Sequence, residues 1–386
     1  MKILLMKWGT FNEEMLHKNL VTMGHQVDVL EGRPKEYDED PVFTYEMMRK
    51  MAESTFEAVF SYDFFPVVSD ICQLRKCLYL AWVFDCPHST LFSKSVFNEG
   101  NRIFSFDRAM YQELVQYGVK NIFHLELAVD TEMFRNQIHQ AGEAKNLQYQ
   151  SELSFVGGMY TGEYNFYDQI KFLPEYMKGY LEGIIASQEK IYGYNFVSEL
   201  LSEKIMVELK QYVKFDFGEK YFIPDQNVIA NMLNKKVTVL ERREALKLLS
   251  KEYNVDLYSG AAVESLPLVN YKGCVDYMTE MPLVFHNSKM NLNITLRSIT
   301  SGIPLRALDI MACGGFLLSN YQPELAENFV DGEELVLYTG MDDLLRKVDY
   351  YMNHKEEREK IAKAGYEKIK NEFSYQKKLN QLFSML

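Results

Sequence analysis

Short apolar runs alternate with helically spaced stretches along most of the 386 residues, and this alternation is the tightest constraint on the fold. Lys2 to Met6 is a β-type run. Asn12 to Met23 carries helical spacing through Met15, Leu16, Leu20 and Met23, and Gly24 ends it before a strand at Gln26 to Leu30. A helix around Thr44 to Glu53 follows, with strands at Ala58 to Tyr62, Cys77 to Phe84, Arg102 to Phe106 and Asn121 to Leu125. Strands this continuously apolar, with helices between them, belong to a parallel sheet covered on both faces.

The pattern then repeats. A fresh strand, Leu153 to Val156, ends in Gly157-Gly158, and the region 162–236 is helix-like and rich in Tyr and Phe. It is longer than an ordinary α/β connection, so it reads as a helical insertion. After it come a helix at Leu240 to Lys251 and strands at Val255 to Tyr258 and Val269 to Gly273. Next are a helix at Tyr277 to Phe285, a strand at Met290 to Ile294, a helix at Arg306 to Ala312 and a strand at Gly315 to Leu318. Charged amphipathic helices run from Met341 onward. The polar stretch Gln137 to Gln150 reads as a linker.

The expected fold class is α/β, with two Rossmann-like doubly wound domains facing a cleft. Residues 1–150 form the first and 151–370 the second, with the insertion at 162–236. A C-terminal helix in 371–386 packs back on the first. The length suits two cores rather than one.

With 47% apolar residues and 14% aromatics the chain buries large cores and is not disordered. A net charge of -12 excludes a protein devoted to neutralising nucleic-acid phosphates. No stretch approaches the ~20 apolar residues of a membrane span. The apolar start breaks at Lys7 and lacks the pattern of a signal peptide. Cys72, Cys77, Cys86, Cys274 and Cys313 are odd in number and form no C-x-x-C pair, as reduced thiols do. A cytoplasmic location is expected, with peripheral membrane contact left open.

Ligands of open parallel sheets bind beyond the carboxyl ends of the strands. The residues there are Lys7 to Phe11, Asp63 to Phe65, Asp85 to His88 and Asp107-Arg108 in the first half. In the second they are Gly157-Gly158, Ser259-Gly260, Thr295 to Gly302 and Asn320 to Gln322. Thr300 to Phe316 is the most informative segment: a Gly302-Ile-Pro loop opens a helix that closes at Gly314-Gly315 before an apolar strand. A helix N-terminus behind such a loop offers N–H groups and a positive dipole end to a diphosphate. Arg306 and Asp309 share a face of that helix. The arginine can grip phosphate, and the carboxylate can accept both hydroxyls of a ribose. A plain helix-surface ion pair with turn-forming glycines is an equal alternative.

Arg306-Ala-Leu-Asp-Ile-Met-Ala-Cys-Gly-Gly resembles the donor-binding motif of the GT-B glycosyltransferases, group 1 or family 4-like. There an acid precedes Ala-Met-Ala-Cys-Gly and a second acid stands eight positions earlier. Flanking segments resemble the family too: Val269 to Phe285, Met290 to Ile294, and Phe329-Val-Asp-Gly-Glu-Glu-Leu-Val-Leu-Tyr. The arginine three before the acid, Ser154-Phe-Val-Gly-Gly-Met-Tyr and the insertion point to the spore-maturation CgeB-like group. The resemblance covers the C-terminal half well and the first half in outline.

The resemblance implies transfer of a sugar from a nucleotide-sugar donor to a glycan, protein or small-molecule acceptor, with retained anomeric configuration and no metal. Asp309 then holds the ribose. Gly302 and Arg306 hold the diphosphate, and Gly157 and Gly158 line the donor site. Ser301 stands where the family has its first acid, which leaves the sugar's contacts open. Among the first-half candidates, Asp85 or His88 could bind the acceptor, orient the sugar, or act as a general base if transfer inverts the anomeric centre. An Asx turn at Asp85 and a helix cap at His88 are equally compatible. Seven scattered histidines show no metal-ligand spacing, so no metal is expected, and no cofactor beyond the donor co-substrate. A nucleotide-sugar epimerase or phosphorylase on the same fold, and a non-catalytic nucleotide-sugar-binding protein, are the alternatives.

Overall fold

The computed structural model describes residues 1–386 except 163–164, 215–217 and 261–263. Residues 163–164 and 215–217 of the expected insertion thus lie outside the described residues. The first elements along the chain are β1 (Lys2–Lys7), α1 (Glu13–Thr22), β2 (Gln26–Glu31), α2 (Pro41–Ala52) and β3 (Ala58–Tyr62). They continue with α3 (Pro66–Arg75), β4 (Leu78–Val83), β5 (Asn101–Ser105), α4 (Arg108–Gln116) and β6 (Ile122–His124). The six strands pair in parallel, in the order β2-β1-β3-β4-β5-β6. All five residues of β3 are buried, which is why it reads as an unbroken apolar run. Asp40 caps α2 through the Val42 and Phe43 amides, and Asp107 caps α4 through Ala109 and Met110.

The second set begins with α5 (Thr131–Leu147), β7 (Ser151–Val156), α6 (Glu175–Gln188), α7 (Val197–Leu200), α8 (Glu203–Leu209) and α9 (Asp225–Leu249). After it come β8 (Val255–Tyr258), β9 (Asn270–Gly273), α10 (Met281–Asn287), β10 (Ser288–Asn293), α11 (Leu305–Ala312) and β11 (Leu317–Asn320). Then follow α12 (Pro323–Asn328), β12 (Val336–Tyr338), α13 (Met341–Asn353), α14 (Lys355–Glu372) and a last helix, α15 (Tyr375–Ser384). This sheet is also parallel, in the order β12-β11-β10-β7-β8-β9. In both sheets the order runs outward in two directions from the first strand, and right-handed crossovers then place helices on both faces. The fold is α/β and doubly wound twice, in accord with the sequence pattern.

Two compact units emerge. One comprises Met1–Ala128, Asp216–Ile223 and Phe373–Leu386; the other comprises Val129–Phe215 and Pro224–Glu372. This corrects the boundary expected at residue 150 and the linker expected at Gln137 to Gln150, because most of that stretch is helical, in α5 with a kink at Gly142 (φ 72°), and is tied into the second unit. The Asn287 amide donates to Asn146 Oδ1 at 2.8 Å, and Tyr149 donates to Glu280 at 2.9 Å. Its polarity reflects an amphipathic surface helix rather than a tether. In the first unit, Phe222 packs on Phe92 and Phe97, and Tyr375 of α15 meets the Tyr62 hydroxyl at 2.7 Å and the Trp82 ring edge. The insertion has its own small core, which includes Met177, Leu181, Ile184, Val197, Leu233 and Val237. Its last helix does not stop before Leu240: α9 runs unbroken for 25 residues, a rod of roughly 37 Å.

Helix α11 ends as the motif's glycines dictate. The Gly314 amide donates to Met311 O and the Gly315 amide to Ile310 O, both at 3.0 Å, with Gly314 at φ +72°. These two bonds are a Schellman cap. A Cβ on Gly315 would stand 2.6 Å from both the Asn291 amide nitrogen and the Phe285 carbonyl. Gly179, inside α6, has nothing within 4 Å of that position. Gly315→Ala should therefore lose roughly 1–3 kcal/mol by overpacking. Gly179→Ala should gain about 0.4–1 kcal/mol from a less flexible unfolded chain. Urea unfolding followed by circular dichroism reads both; equal midpoints for the two variants would contradict the packing described.

Candidate active site

The strand order of the second sheet turns between β7 and β10, so a ligand crevice belongs beyond their carboxyl ends. Arg242, on α9, reaches this point. Its Nε donates to the Ile294 carbonyl, just past β10, at 3.1 Å, and its Nη1 donates to the Gly158 carbonyl, just past β7. The guanidinium lies over the rings of Phe155 and Tyr160 at 5.3 and 5.0 Å. A Cβ on Gly157 would come within 3.8 Å of Arg242 Nη1, so the glycine turn is packed directly on the cation. Arg242 is 7% exposed, and it forms no ion pair with a carboxylate among the described residues. Burial depresses its pKa, Tyr160 and Glu241 counter that, and the charge of Arg306 adds to the depression.

The turn leading into α11 is fixed from several sides. Thr295 N donates to Asn320 Oδ1 at 2.9 Å, Gln322 Nε2 to Ile299 O at 2.7 Å, and Glu324 N to Ser301 O at 3.0 Å. Arg297 is buried against Glu241, with Nε 2.7 Å from Oε2. Ser301 and Gly302 are both buried, and Ser301 Oγ donates to Glu324 Oε1 at 2.7 Å.

On α11, Asp309 is 1% exposed, which removes the helix-surface ion pair as an account of it. Tyr277 donates to its Oδ1 at 2.7 Å, while Arg306 Nη1 stands 3.8 Å from Oδ2, a loose pairing. Arg306 also lies over the Phe285 ring at 5.6 Å. Burial pushes the Asp309 pKa up to about 6 against the pull of Arg306 and Tyr277. The result is a carboxylate held as a hydrogen-bond acceptor beside a half-buried cation.

In the first unit the order turns between β1 and β3. Gly9, in the turn after β1, has φ +103°, and the Trp8 and Gly9 amides donate to Glu13. Trp8 Nε1 donates to Tyr62 O at 2.9 Å, and the Trp8 ring stacks on Phe84 at 6.2 Å. Directly after β3, Asp63 adopts φ 56°, a left-handed conformation that Asp tolerates better than most residues. Its buried Oδ1 accepts the Phe84 amide at 3.1 Å and the Asp85 amide at 3.3 Å. His88 Nδ1 lies 3.9 Å from the same oxygen, and its Nε2 lies 3.2 Å from the Phe64 amide nitrogen.

The structure therefore joins Asp85 and His88, as the sequence suggested, and adds Asp63. Ligand atoms of the three lie within 4.8 Å of one another, close enough to share a proton or a cation. His88 precedes a short 3-10 turn but makes no side-chain cap bond. Burial, with the charge of Asp85 opposing it, lowers the His88 pKa, so the ring is neutral at pH 7. Asp63 is pushed up to about 7 by burial, and Asp85 to about 6 by desolvation and then by Asp63.

A family model described as Glycosyl transferase-like matches residues 239–384. The spore protein CgeB of Bacillus subtilis is 30% identical over 129 residues, which cover 33% of this chain and 38% of that protein. Among solved structures, the sucrose-phosphate synthase of Thermosynechococcus elongatus matches with a TM-score of 0.57 at 12% identity, over 100% of this chain and 98% of that one. HepE of Anabaena, solved with UDP, matches at 0.54 and 10% identity over 100% of both chains. The chain has the GT-B fold, and residues 239–384 match the Glycosyl transferase-like family. The fold expected from the Arg306 motif, and the glycosyltransferase resemblance of the C-terminal region, agree with these matches.

Three residues of this GT-B chain's crevices escaped the motif reading. Arg242 sits in the run Glu241-Arg-Arg-Glu244, which reads as a solvated charged face. Glu324 lies in a six-residue helix with no signature of its own. Asp63 occupies a post-strand position, and that rule was the signal that could have singled it out. The folded pKa of Asp63 stands above the 3.8 of an unfolded aspartate, so the folded state holds the proton more tightly. Its stabilising contribution is full below about pH 4 and is lost as pH rises through 7. Asp63→Asn, neutral at every pH, should therefore be more stable than the parent at pH 8 by roughly 2–4 kcal/mol, and should flatten the fall in stability between pH 5 and 8. Urea midpoints across that range are the check.

Proposed function

We propose that this chain transfers a hexosyl group from a nucleotide sugar to an acceptor glycan, protein or small molecule. The observation that carries the reading is Arg242: a buried cation at the turning point of the second sheet, without a carboxylate partner, close enough to Arg306 to feel its charge. Two guanidinium groups near a helix N-terminus form a field that an anion relieves, and a diphosphate supplies two negative charges. The buried Asp309 carboxylate is suited to ribose hydroxyls, and the Tyr277 hydroxyl already bound to it shows that it accepts such a donor. HepE has also been solved with UDP-glucose, which makes that donor the natural first probe.

In this reading, Arg306 and the amides at the start of α11 stabilise the departing nucleoside diphosphate. Gly157 and Gly158 shape the donor turn against Arg242, and Gly302 allows close approach to the diphosphate. In the first unit, Asp85 and the neutral His88 orient the acceptor, with Asp63 fixing the turn that carries them. The aromatic surface of Trp8 and Phe84 beside these polar groups suits a sugar or another ring-shaped acceptor. Retention of configuration and independence of metal are proposed on the family resemblance.

Calorimetry with UDP-glucose tests the donor site. Asp309→Ala and Arg306→Ala should each weaken binding about ten-fold or more at pH 7.5, and unchanged affinity in both would refute the assignment. The parent's affinity should fall as pH drops from 7 to 5, because Asp309 gains its proton near 6 and then loses acceptor capacity. Asp309→Asn should remove that dependence. Release of UDP in the presence of acceptor or water should persist in EDTA; its abolition would place a cation in the reaction.

A further inference from the structure

A second cavity, of about 700 Å³, lies in the second unit at the closing end of α11, where Cys313 and Gly314 form part of its lining. α5, α10 and α14 supply the rest. The diphosphate reading uses the opposite end of α11, so this cavity is a separate place. Its volume falls within the roughly 300–1,000 Å³ of small-molecule sites. Its walls are tied to one another. His286 Nδ1 donates to the Cys313 carbonyl at 3.0 Å, and Asn287 Nδ2 to Asn146 Oδ1 at 2.8 Å. At the α5 kink, Asn146 Nδ2 donates to the Ile138 and Gly142 carbonyls at 3.0 and 2.8 Å, which holds the bend that shapes this side of the cavity.

The lining carries both signs of charge. Arg135 on α5 and Lys363 on α14 have no ion-pair or hydrogen-bond partner among the described residues. Glu143 on α5 has none either, and Glu359 on α14 stands 3.5 Å from Lys355. Two unpaired cations in one concave site, on a chain of net charge -12, favour an anion. A bare phosphate would leave the carboxylates and the apolar surface of Ile138 and Tyr366 unused, and a neutral sugar would leave the cations unused. A phosphorylated sugar engages all of them. Its phosphate suits the guanidinium and ammonium groups, its hydroxyls donate to carboxylates that can only accept, and the apolar face of its ring covers the Tyr366 ring. We propose that this cavity is a second ligand site that binds a hexose phosphate, apart from the nucleotide-sugar crevice.

The experiment is calorimetry on the full chain with glucose 6-phosphate, glucose 1-phosphate and mannose 6-phosphate, and with inorganic phosphate and glucose as fragments. At least one hexose phosphate should bind about ten-fold or more tightly than either fragment, because the phosphate and the hydroxyls are held by different groups. Arg135→Ala and Lys363→Ala should each weaken that binding about ten-fold, the loss of one charge-assisted contact. Glu143→Gln, which keeps an acceptor but not the charge, should cost less. Arg306→Ala should bind the hexose phosphate as the parent does. All three cavity residues that are changed are exposed, so their variants should melt with the parent. No binding by any of the three hexose phosphates would overturn the proposal. So would inorganic phosphate binding as tightly as they do, which would leave only a cationic surface. A loss in Arg306→Ala that is absent from Arg135→Ala and Lys363→Ala would place the ligand in the donor crevice and overturn it too.

Discussion

A buried guanidinium tied to two backbone carbonyls and set against Tyr160 organises the second unit. Arg242 ties the ends of β7 and β10 together through Gly158 and Ile294, the two places where a doubly wound sheet leaves its backbone open. Neutral carbonyls satisfy the hydrogen bonds of a guanidinium but do not cancel its charge, and an uncompensated charge in the interior is costly. Arg297, in the turn after β10, instead has Glu241 for a partner, the α9 residue next to Arg242, so the contrast lies between two adjacent sites. One arginine is neutralised by the fold, and the other leaves a charge for something else to neutralise. The glycine turn and the packing of Tyr160 follow from where that cation is held.

Much of the fold was legible because parallel strands are buried on both faces and read as apolar runs. β1, β3, β4, β7 and β10 fall where the sequence places them, and the α11 cap follows from Gly314-Gly315. What was hidden was hidden for physical reasons. Helix α5 is amphipathic and largely solvated, so its polar composition resembled a linker. The 25 residues of α9 mix buried Glu241 and Arg242 with solvated neighbours, which blurred its periodicity and concealed that insertion and sheet cover are one helix. β12 has only three residues, too few for a pattern.

The site divides in the same way. Arg306 and Asp309 were readable because a single helix turn sets their geometry and a motif names them. Asp85 and His88 were readable because two residues three positions apart in one loop cannot be far from each other. Asp63, Arg242 and Glu324 depend on contacts between segments distant in sequence, and no local pattern records such a contact. Ser301 read in one dimension as the absence of an acid, whereas in three dimensions a carboxylate stands 2.7 Å from its hydroxyl.

The first unit is assembled from three separate stretches of chain, the last of them Phe373–Leu386. Tyr375 fills space beside Trp82 and bonds to Tyr62, and Lys378 pairs with Glu126 at 2.9 Å. During synthesis, the sheet formed by residues 2–124 therefore waits for more than two hundred further residues before its last buried tyrosine arrives. Until then Trp82 and Tyr62 lack their cover. A nascent chain of this design carries an exposed aromatic surface for most of its time on the ribosome, and neither unit can be cut out as one continuous fragment without leaving a piece behind.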